Sequence, residues 1–345
     1  MLAPAYRLEG LQLDGEWTVG PRVDLGADAT GGNFSCCYNV TRRDGAKAFL
    51  KALDFSRALA APDPARAFEA LTVAYNFERD LLTMCANRRM DRVVRAVGDG
   101  KVNVENRPEM VVQYLIFEFA DCDLRKQLAL MGNVETAWKL RALHHMATGL
   151  MQLHRSDIAH QDLKPSNVLV FGGAESKVSD LGCASLKNAS GPRDDREVAG
   201  DPGYAPPEIL YGFISPEWSF RRIGCDLYLL GSMVVFLFTG LSMTSLICGY
   251  VSAGHRWSEW RGTYSDVLPY VRDAFGQAVP TFATQIGDDT LRSSLVEVLR
   301  QLCDPDPSQR GHPINRALRG DPLSLERYVA QFDLLARRAE IGRIK

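Results

Sequence analysis

The rhythm of apolar and polar positions changes about a third of the way along the chain. Before residue 120 the apolar runs are short and separated by turns: Trp17-Thr18-Val19, Cys36 to Val40, and Ala48-Phe49-Leu50-Lys51. A glycine-rich stretch over 26–32 divides the first two, and Arg43-Asp44-Gly45 divides the second from the third. Asp-Gly between apolar runs signals a hairpin, because both residues tolerate the left-handed backbone of a tight turn. Two more strands are expected at 92–97 and 110–119, the stronger being Tyr114-Leu115-Ile116-Phe117-Glu118-Phe119. Between them and the hairpin, Pro62-Asp63-Pro64 ends the strand region. Phe68, Leu71, Tyr75, Glu78 and Leu82 then recur at spacings of three and four, which predicts a helix over about 65–85. That spacing puts Glu78 on the apolar stripe. A carboxylate there is costly without a cation beside it, so either a partner is implied or the side chain reaches water at the stripe's edge.

After Ala120 long helical patterns take over. In 135–154, Leu143, Ala147, Leu150 and His154 share one face. A last helix is expected to start at Asp321-Pro322, an aspartate cap followed by proline, and to carry a stripe of Leu325, Tyr328, Phe332 and Leu335 against the body. The pattern therefore divides the chain into an N-terminal extension (1–15), a β-rich part (16–120), a helical part (121–320) and a packed C-terminal helix (321–345).

Composition adds bounds. The 345 residues are 46% hydrophobic and 24% charged, ordinary for a globular chain with room for two domains or one large two-lobed domain. With 40 basic and 42 acidic residues the net charge is −2, which calls for neither a nucleic-acid partner nor an anionic membrane surface. The eight cysteines are scattered without a C-x-x-C, against a zinc site or a disulfide framework and in favour of free thiols in a reducing, cytoplasmic setting. Met1 to Gly10 lacks the basic-then-apolar form of a signal peptide. Leu227 to Gly254 has no charged residue and is long enough to cross a membrane. Its Gly231, Gly240 and Gly249 and its six Ser/Thr residues fit equally well a buried core helix followed by an irregular loop.

The chemistry concentrates in His160-Gln161-Asp162-Leu163-Lys164-Pro165-Ser166-Asn167 and in Asp180-Leu181-Gly182, 18 residues beyond Asp162. Val168-Leu169-Val170 leads out of the first segment and Lys177-Val178-Ser179 into the second. Such a loop, hairpin and second loop bring Asn167 and Asp180 together, and their oxygens suit Mg²⁺. These motifs resemble the protein kinase family, whose catalytic loop reads H-R-D-L-x-x-x-N with D-F-G and A-P-E downstream; the chain reads HQDLKPSN, DLG and, at Pro206-Pro207-Glu208, PPE. The resemblance spans roughly 16–318 and implies an α+β, two-lobed fold that uses ATP and Mg²⁺ on protein substrates.

By that resemblance Asp162 accepts the proton of the substrate hydroxyl and Lys164 neutralises the transferred phosphoryl group, while Asn167 and Asp180 hold Mg²⁺. Lys51 contacts the α- and β-phosphates with Glu78 as its partner. Glu118 and Ala120 offer hinge backbone to adenine, with Phe117 behind. Asp123 meets the ribose, Asp226 opens a central buried helix, and Arg310 pairs with Glu208. Lys164-Pro165, Pro207-Glu208 and Arg310 favour protein over small-molecule substrates, and Lys164 favours Ser/Thr over Tyr.

Four departures qualify this. The glycine loop aligns Gly31, Gly32, Asn33, Phe34, Ser35 and Cys37, with Ser35 where a third glycine is expected. Gln161 replaces an arginine that binds an activation-loop phosphate, so phosphorylation of 183–201 is expected to be dispensable. Asp201 replaces a threonine and is expected to pair with Lys164 and to raise the pKa of Asp162. Leu181 replaces a phenylalanine, a mild change. A catalytically weak scaffold and a small-molecule kinase are the competing readings.

Overall fold

A computed structural model describes residues 3–24, 35–106, 110–131, 135–317 and 321–344. Gly31, Gly32, Asn33 and Phe34 of the expected glycine loop lie outside the described residues.

The first lobe is an antiparallel sheet backed by one long helix. A short turn at Pro4–Tyr6 precedes β1 (Gln12–Leu13), β2 (Trp17–Arg22), β3 (Ser35–Arg42), β4 (Lys47–Leu53), α1 (Ser56–Leu59), α2 (Pro64–Asn87), β5 (Ala96–Asn103) and β6 (Val111–Glu118), and the strand order is β1-β2-β3-β4-β6-β5. The β3–β4 hairpin closes at Asp44-Gly45, where Gly45 takes φ +87° and Arg42 N–H donates to Ala46 O at 2.8 Å. Pro62-Asp63-Pro64 proves to be a helix start. The Asp63 side chain accepts from Arg66 N at 3.1 Å and Pro64 occupies the first turn of α2.

The alternation of β4 gives the sheet two different faces. Ala48, Leu50 and Ala52 point to one side, buried with Ala5, Leu8, Leu13 and Trp17. Residues 5–13, set apart by sequence as an extension, are thus built into this lobe. Leu8 is fully buried, Tyr38 Oη donates to Ala5 O at 2.8 Å, and β1 adds an edge strand beside β2. Phe49, Lys51 and Leu53 point to the other side, toward α2 and the second lobe.

The strand expected at 92–97 is displaced. β5 begins at Ala96, and residues 92–94 instead tie the lobes together: Val94 N–H donates to Val178 O at 2.8 Å and Val178 N–H to Arg92 O at 2.9 Å. Gly98, Asp99 and Gly100 disguise β5 in the sequence. Gly100 has a packing reason, since a Cβ there would lie 2.6 Å from Tyr114 Oη.

The second lobe runs through β7 (Cys122–Asp123), α3 (Leu124–Met131), α4 (Thr136–His154), β8 (Ile158–Ala159), β9 (Val168–Phe171), β10 (Glu175–Val178), β11 (Ser185–Leu186), α5 (Pro207–Leu210), α6 (Gly224–Thr239), α7 (Met243–Tyr250), α8 (Tyr264–Ala283), α9 (Asp289–Leu302), α10 (Pro313–Ala317) and α11 (Glu326–Glu340). The uncharged run is α6 followed by α7, not by an irregular loop; Ser242 caps α7 by accepting from Ser245 N. Among the described residues one helix, Ser219–Thr239, is long and apolar enough to cross a membrane, and 83% of its most apolar window is buried inside the fold. The last helix starts at Glu326, five residues later than expected. Asp321 caps a turn instead, accepting from Leu323 N at 3.0 Å, because Leu323 and Leu325 are drawn into the core ahead of the helix. Tyr328, Phe332 and Leu335 then pack α11 on α4, and Arg141 bridges Asp333 and Glu340.

Leu8→Ala should cost roughly 2–5 kcal/mol of stability in urea denaturation, the range for emptying a well-packed leucine site. A loss below about 0.5 kcal/mol, normal for a surface change, would show that the segment is a mere appendage.

Candidate active site

The two faces of β4 decide where Lys51 goes. Its strand neighbours Cys37 and Leu115 sit in register beside it, and its side chain crosses toward α2. There Lys51 Nζ lies 3.1 and 3.2 Å from the two oxygens of Glu78, and 3.7 Å from Asp180 Oδ1. The cation demanded by a carboxylate on the apolar stripe is therefore Lys51. Burial pushes the Glu78 pKa up, with Lys51 opposing. For Lys51 burial works against the charge, but Glu78 and Asp180 outweigh it and hold the pKa above the ordinary lysine value. Asp180 is held below the ordinary aspartate value, chiefly by Lys51 and despite burial.

The loop from β8 to β9 is pinned from beneath by the third residue of α6. Asp226 is inaccessible to water; its oxygens accept from His160 N at 2.7 Å, Gln161 N at 2.8 Å and Gln161 Nε2 at 3.1 Å, with His154 Nε2 at 2.9 Å. These bonds sustain φ +67° at Gln161, a left-handed backbone that a non-glycine residue seldom adopts. His160 Nε2 meets Ser179 O at 2.9 Å, joining the loop to the residue before Asp180.

Asp162 is consequently fixed on every side. Oδ1 accepts from Asp201 N at 2.8 Å; Oδ2 accepts from Asn167 Nδ2 at 2.9 Å and lies 3.1 Å from Lys164 Nζ. Burial raises its pKa, and Lys164 works the other way. Asp201 does reach Lys164, at 3.5 Å. Its backbone N–H, rather than its charge, makes the direct contact with Asp162, and Asp201 is not among the main causes that raise the Asp162 pKa. Leu181 is fully buried, an apolar body as its position requires.

Between the lobes lies a cleft of about 610 Å³ lined by Ser35, Cys37, Lys51, Asn167 and Asp180, and on its open side by Glu118 to Asp123. This size suits a nucleotide-scale ligand. The Glu118 side chain turns to Lys177 (2.7 Å) and accepts from Arg95 N (2.9 Å), and its backbone N–H donates to Arg95 O (3.0 Å), so neither is on offer to a ligand. Phe117 and Ala120 line the same wall. Asp123 already caps α3, with Oδ1 accepting from Lys126 N at 2.9 Å, so Oδ2 is the atom left for a ribose hydroxyl. Glu208 and Arg310 form a fully buried two-pronged pair at 2.5 and 2.6 Å beneath the segment that follows Asp201.

Known proteins agree with this geometry. A protein kinase domain model matches residues 31–318. The chain belongs to the protein kinase family. It is 32% identical over 202 residues to a cell division control protein 2 homolog 3 of Trypanosoma brucei brucei, covering 57% of this chain and 64% of that protein. It is 26% identical over 193 residues to a G-type lectin S-receptor-like serine/threonine-protein kinase of Arabidopsis thaliana (54% and 22% covered). It is 27% identical over 201 residues to the serine/threonine-protein kinase fused of Drosophila melanogaster (57% and 22% covered). The matched stretches thus span less than two thirds of each relative.

The donor set of this kinase fits Mg²⁺. Among the described residues no three His, Cys, Asp or Glu side chains form a ready metal cage. Mg²⁺ needs none, since one or two protein oxygens complemented by phosphates and water suffice. The Asn167 amide nitrogen is occupied by Asp162, so its oxygen and the Asp180 carboxylate are the ligands on offer.

Motif reading passes over two residues that hold this site. Gly200 lets the activation segment lie against the catalytic loop; a Cβ there would sit 2.7 Å from Asp162 Oδ1 and collide with Gln161 O. Arg222 is buried next to Gln161 with its Nη1 3.3 Å from Gln161 Oε1. Its one sequence signal is the spacing of four to Asp226.

The base role that the resemblance implies for Asp162 needs its carboxylate form, so activity should fall as pH drops through its raised pKa. The acid limb of kcat against pH should lie above the ordinary aspartate range. Lys164→Met removes the opposing charge and should move that limb further up, besides lowering kcat; an unmoved limb would show that another group controls it.

Proposed function

We propose that this chain is an active Ser/Thr protein kinase that transfers the γ-phosphoryl group of ATP to Ser or Thr hydroxyls of protein substrates. The observation that carries the proposal is the Lys51–Glu78 ion pair with Asp180 beside it, at 3.1 and 3.7 Å. Phosphoryl transfer in this family needs that lysine–glutamate pair and a metal held by the aspartate; the pair is formed here, and Asp180 stands beside it. Lys51, braced by Glu78, binds and orients the α- and β-phosphates. Asp162, held by Asn167 and the Asp201 amide, aligns the substrate hydroxyl and takes its proton. Lys164 places positive charge beside the phosphoryl group in flight. Asn167 and Asp180 would hold Mg²⁺, which would supply positive charge to the phosphates during transfer. The chemistry is positioning and electrostatics, and the groups that do it are already in position.

Activity is proposed to be independent of activation-loop phosphorylation. The neutral Gln161 amide donates to Arg222 O at 2.8 Å and to Asp226, so it offers no cation to a phosphate. The eight cysteines are all free thiols, which favours a reducing, cytoplasmic compartment. A scaffold role is favoured by one observation alone, the Asp201 carboxylate at 3.5 Å from Lys164.

Labelled ATP and Mg²⁺ with a general protein substrate test the proposal. Transfer to Ser or Thr should fall roughly 10²–10⁴-fold in Asp162→Ala, the usual weight of a positioned base, and comparably in Lys51→Met. Phosphatase treatment beforehand should leave the wild-type rate unchanged. ATP binding without transfer would turn the reading to a scaffold, and label found only in a small molecule would turn it to a metabolite kinase.

A further inference from the structure

Among the buried charges that the catalytic steps leave unused, Arg222 faces the segment that carries Asp201. Arg222 is 3% exposed, and its guanidinium faces the activation segment. Nη2 donates to Asp194 Oδ1 at 2.9 Å and to Asp194 O at 3.1 Å, while Nη1 reaches Gln161 Oε1. The second Asp194 oxygen accepts from Gly191 N at 2.6 Å, so the carboxylate organises its own loop as well as the ion pair. Burial lowers the pKa of Arg222 and Asp194 opposes this; an arginine stays charged regardless.

The backbone that carries Arg222 is unusual. Ser219–Ile223 forms a π-type turn running directly into α6. Such wide turns are uncommon and cluster at functional sites. The turn leaves the Arg222 carbonyl to Gln161 Nε2, at 2.8 Å, so backbone and side chain of Arg222 both engage Gln161. Ser185 Oγ, near the start of the same segment, accepts from Trp218 Nε1 at 3.0 Å, one residue before the turn. A continuous path of direct contacts therefore runs from Asp194 through Arg222 to Gln161 and Asp226, and Gln161 is covalently next to Asp162.

We propose that Arg222 is a positioning residue that holds the activation segment in its working place, with Asp194 as a permanent carboxylate where a switched segment would need an added phosphate. The inference rests on the kinase reading above and supplies the regulation of that site. Phosphorylation acts by adding charge opposite an arginine. Here the arginine is displaced from the catalytic loop to the turn before α6, and the charge it meets is written into the sequence. The segment is then ordered at all times, and control must act elsewhere than on residues 183–201.

A double-mutant cycle in the full-length protein decides this. Asp194→Asn and Arg222→Gln should each lower kcat/KM for a protein substrate roughly tenfold or more, as expected when one partner of a buried pair is lost. The double variant should be no worse than the poorer single variant, because both remove the same contact. The KM for ATP should stay within about twofold of wild type, since the Lys51 and Asp180 side of the cleft is untouched. Asp194→Glu, which keeps the charge, should retain most of the activity. Amides 191–200 should exchange hydrogen faster in both single variants.

Unchanged kcat/KM in Asp194→Asn, multiplicative losses in the double variant, or an equal loss of ATP binding would each overturn the proposal. So would a wild-type rate that rises on phosphorylation of the segment. Should Arg222→Gln fail to fold, Asp194→Asn and Asp194→Glu carry the test, as the Asp194 side chain is 25% exposed against 4% for Arg222. A wild type that transfers no phosphate sinks the kinase reading itself, a result distinct from an active wild type with indifferent variants.

Discussion

A single carboxylate without access to water holds the catalytic loop in shape. Asp226 projects from the first turn of a helix buried on nearly all sides and accepts four hydrogen bonds, three of them from His160 and Gln161. A buried carboxylate is tolerable only when it is satisfied this way. The need runs in both directions. The loop's strained residue, Gln161, keeps its left-handed backbone because Asp226 rewards it, and the buried Asp226 oxygens find their donors because the loop surrounds them. The helical lobe's core thereby fixes the position of Asp162, although no core residue touches a substrate.

The same economy of shared partners appears across the cleft. Lys51 is the common neighbour of Glu78 and Asp180, yet the two acids are driven apart: burial lifts the first and Lys51 holds down the second. Asp180 is thus kept anionic, as a magnesium ligand must be. Asp162 is raised by burial, which suits a group that has to take up a proton. Environments that separate like groups in pKa assign them different work.

Much of this was legible because the residues involved obey local rules. The α2 stripe with Glu78 on it, the Asp44-Gly45 hairpin, the catalytic loop and the buried α6 each announce themselves within a few residues. What escaped the sequence depends on partners far away in the chain. β5 reads poorly because its Gly100 answers to Tyr114 across the sheet. The start of α11 is set by Leu323 and Leu325 entering the core, which overrides a good capping signal at Asp321. Residues 5–13 read as an extension until the sheet face of Ala48, Leu50 and Ala52 is seen to pack against them. Arg222 is invisible to a helical periodicity because it sits on a π-type turn that breaks it.

Asp201 shows how a departure from a family pattern can be misjudged by charge alone. A carboxylate beside Lys164 and near Asp162 suggests interference with the base. Its geometry says otherwise. Asp201 Oδ1 accepts from Gly203 N at 2.9 Å, while its backbone carbonyl accepts from Tyr204 N and Ala205 N. Aspartate is favoured at such a turn because its side chain can bind the backbone two residues on. The contact with Asp162 comes from the Asp201 amide, which any residue but proline could supply. The carboxylate that remains, at 3.5 Å from Lys164, gives that lysine a second anionic neighbour besides Asp162. Lys164 is therefore held between two carboxylates, and the role proposed for it calls on a cation already positioned rather than one recruited from solvent.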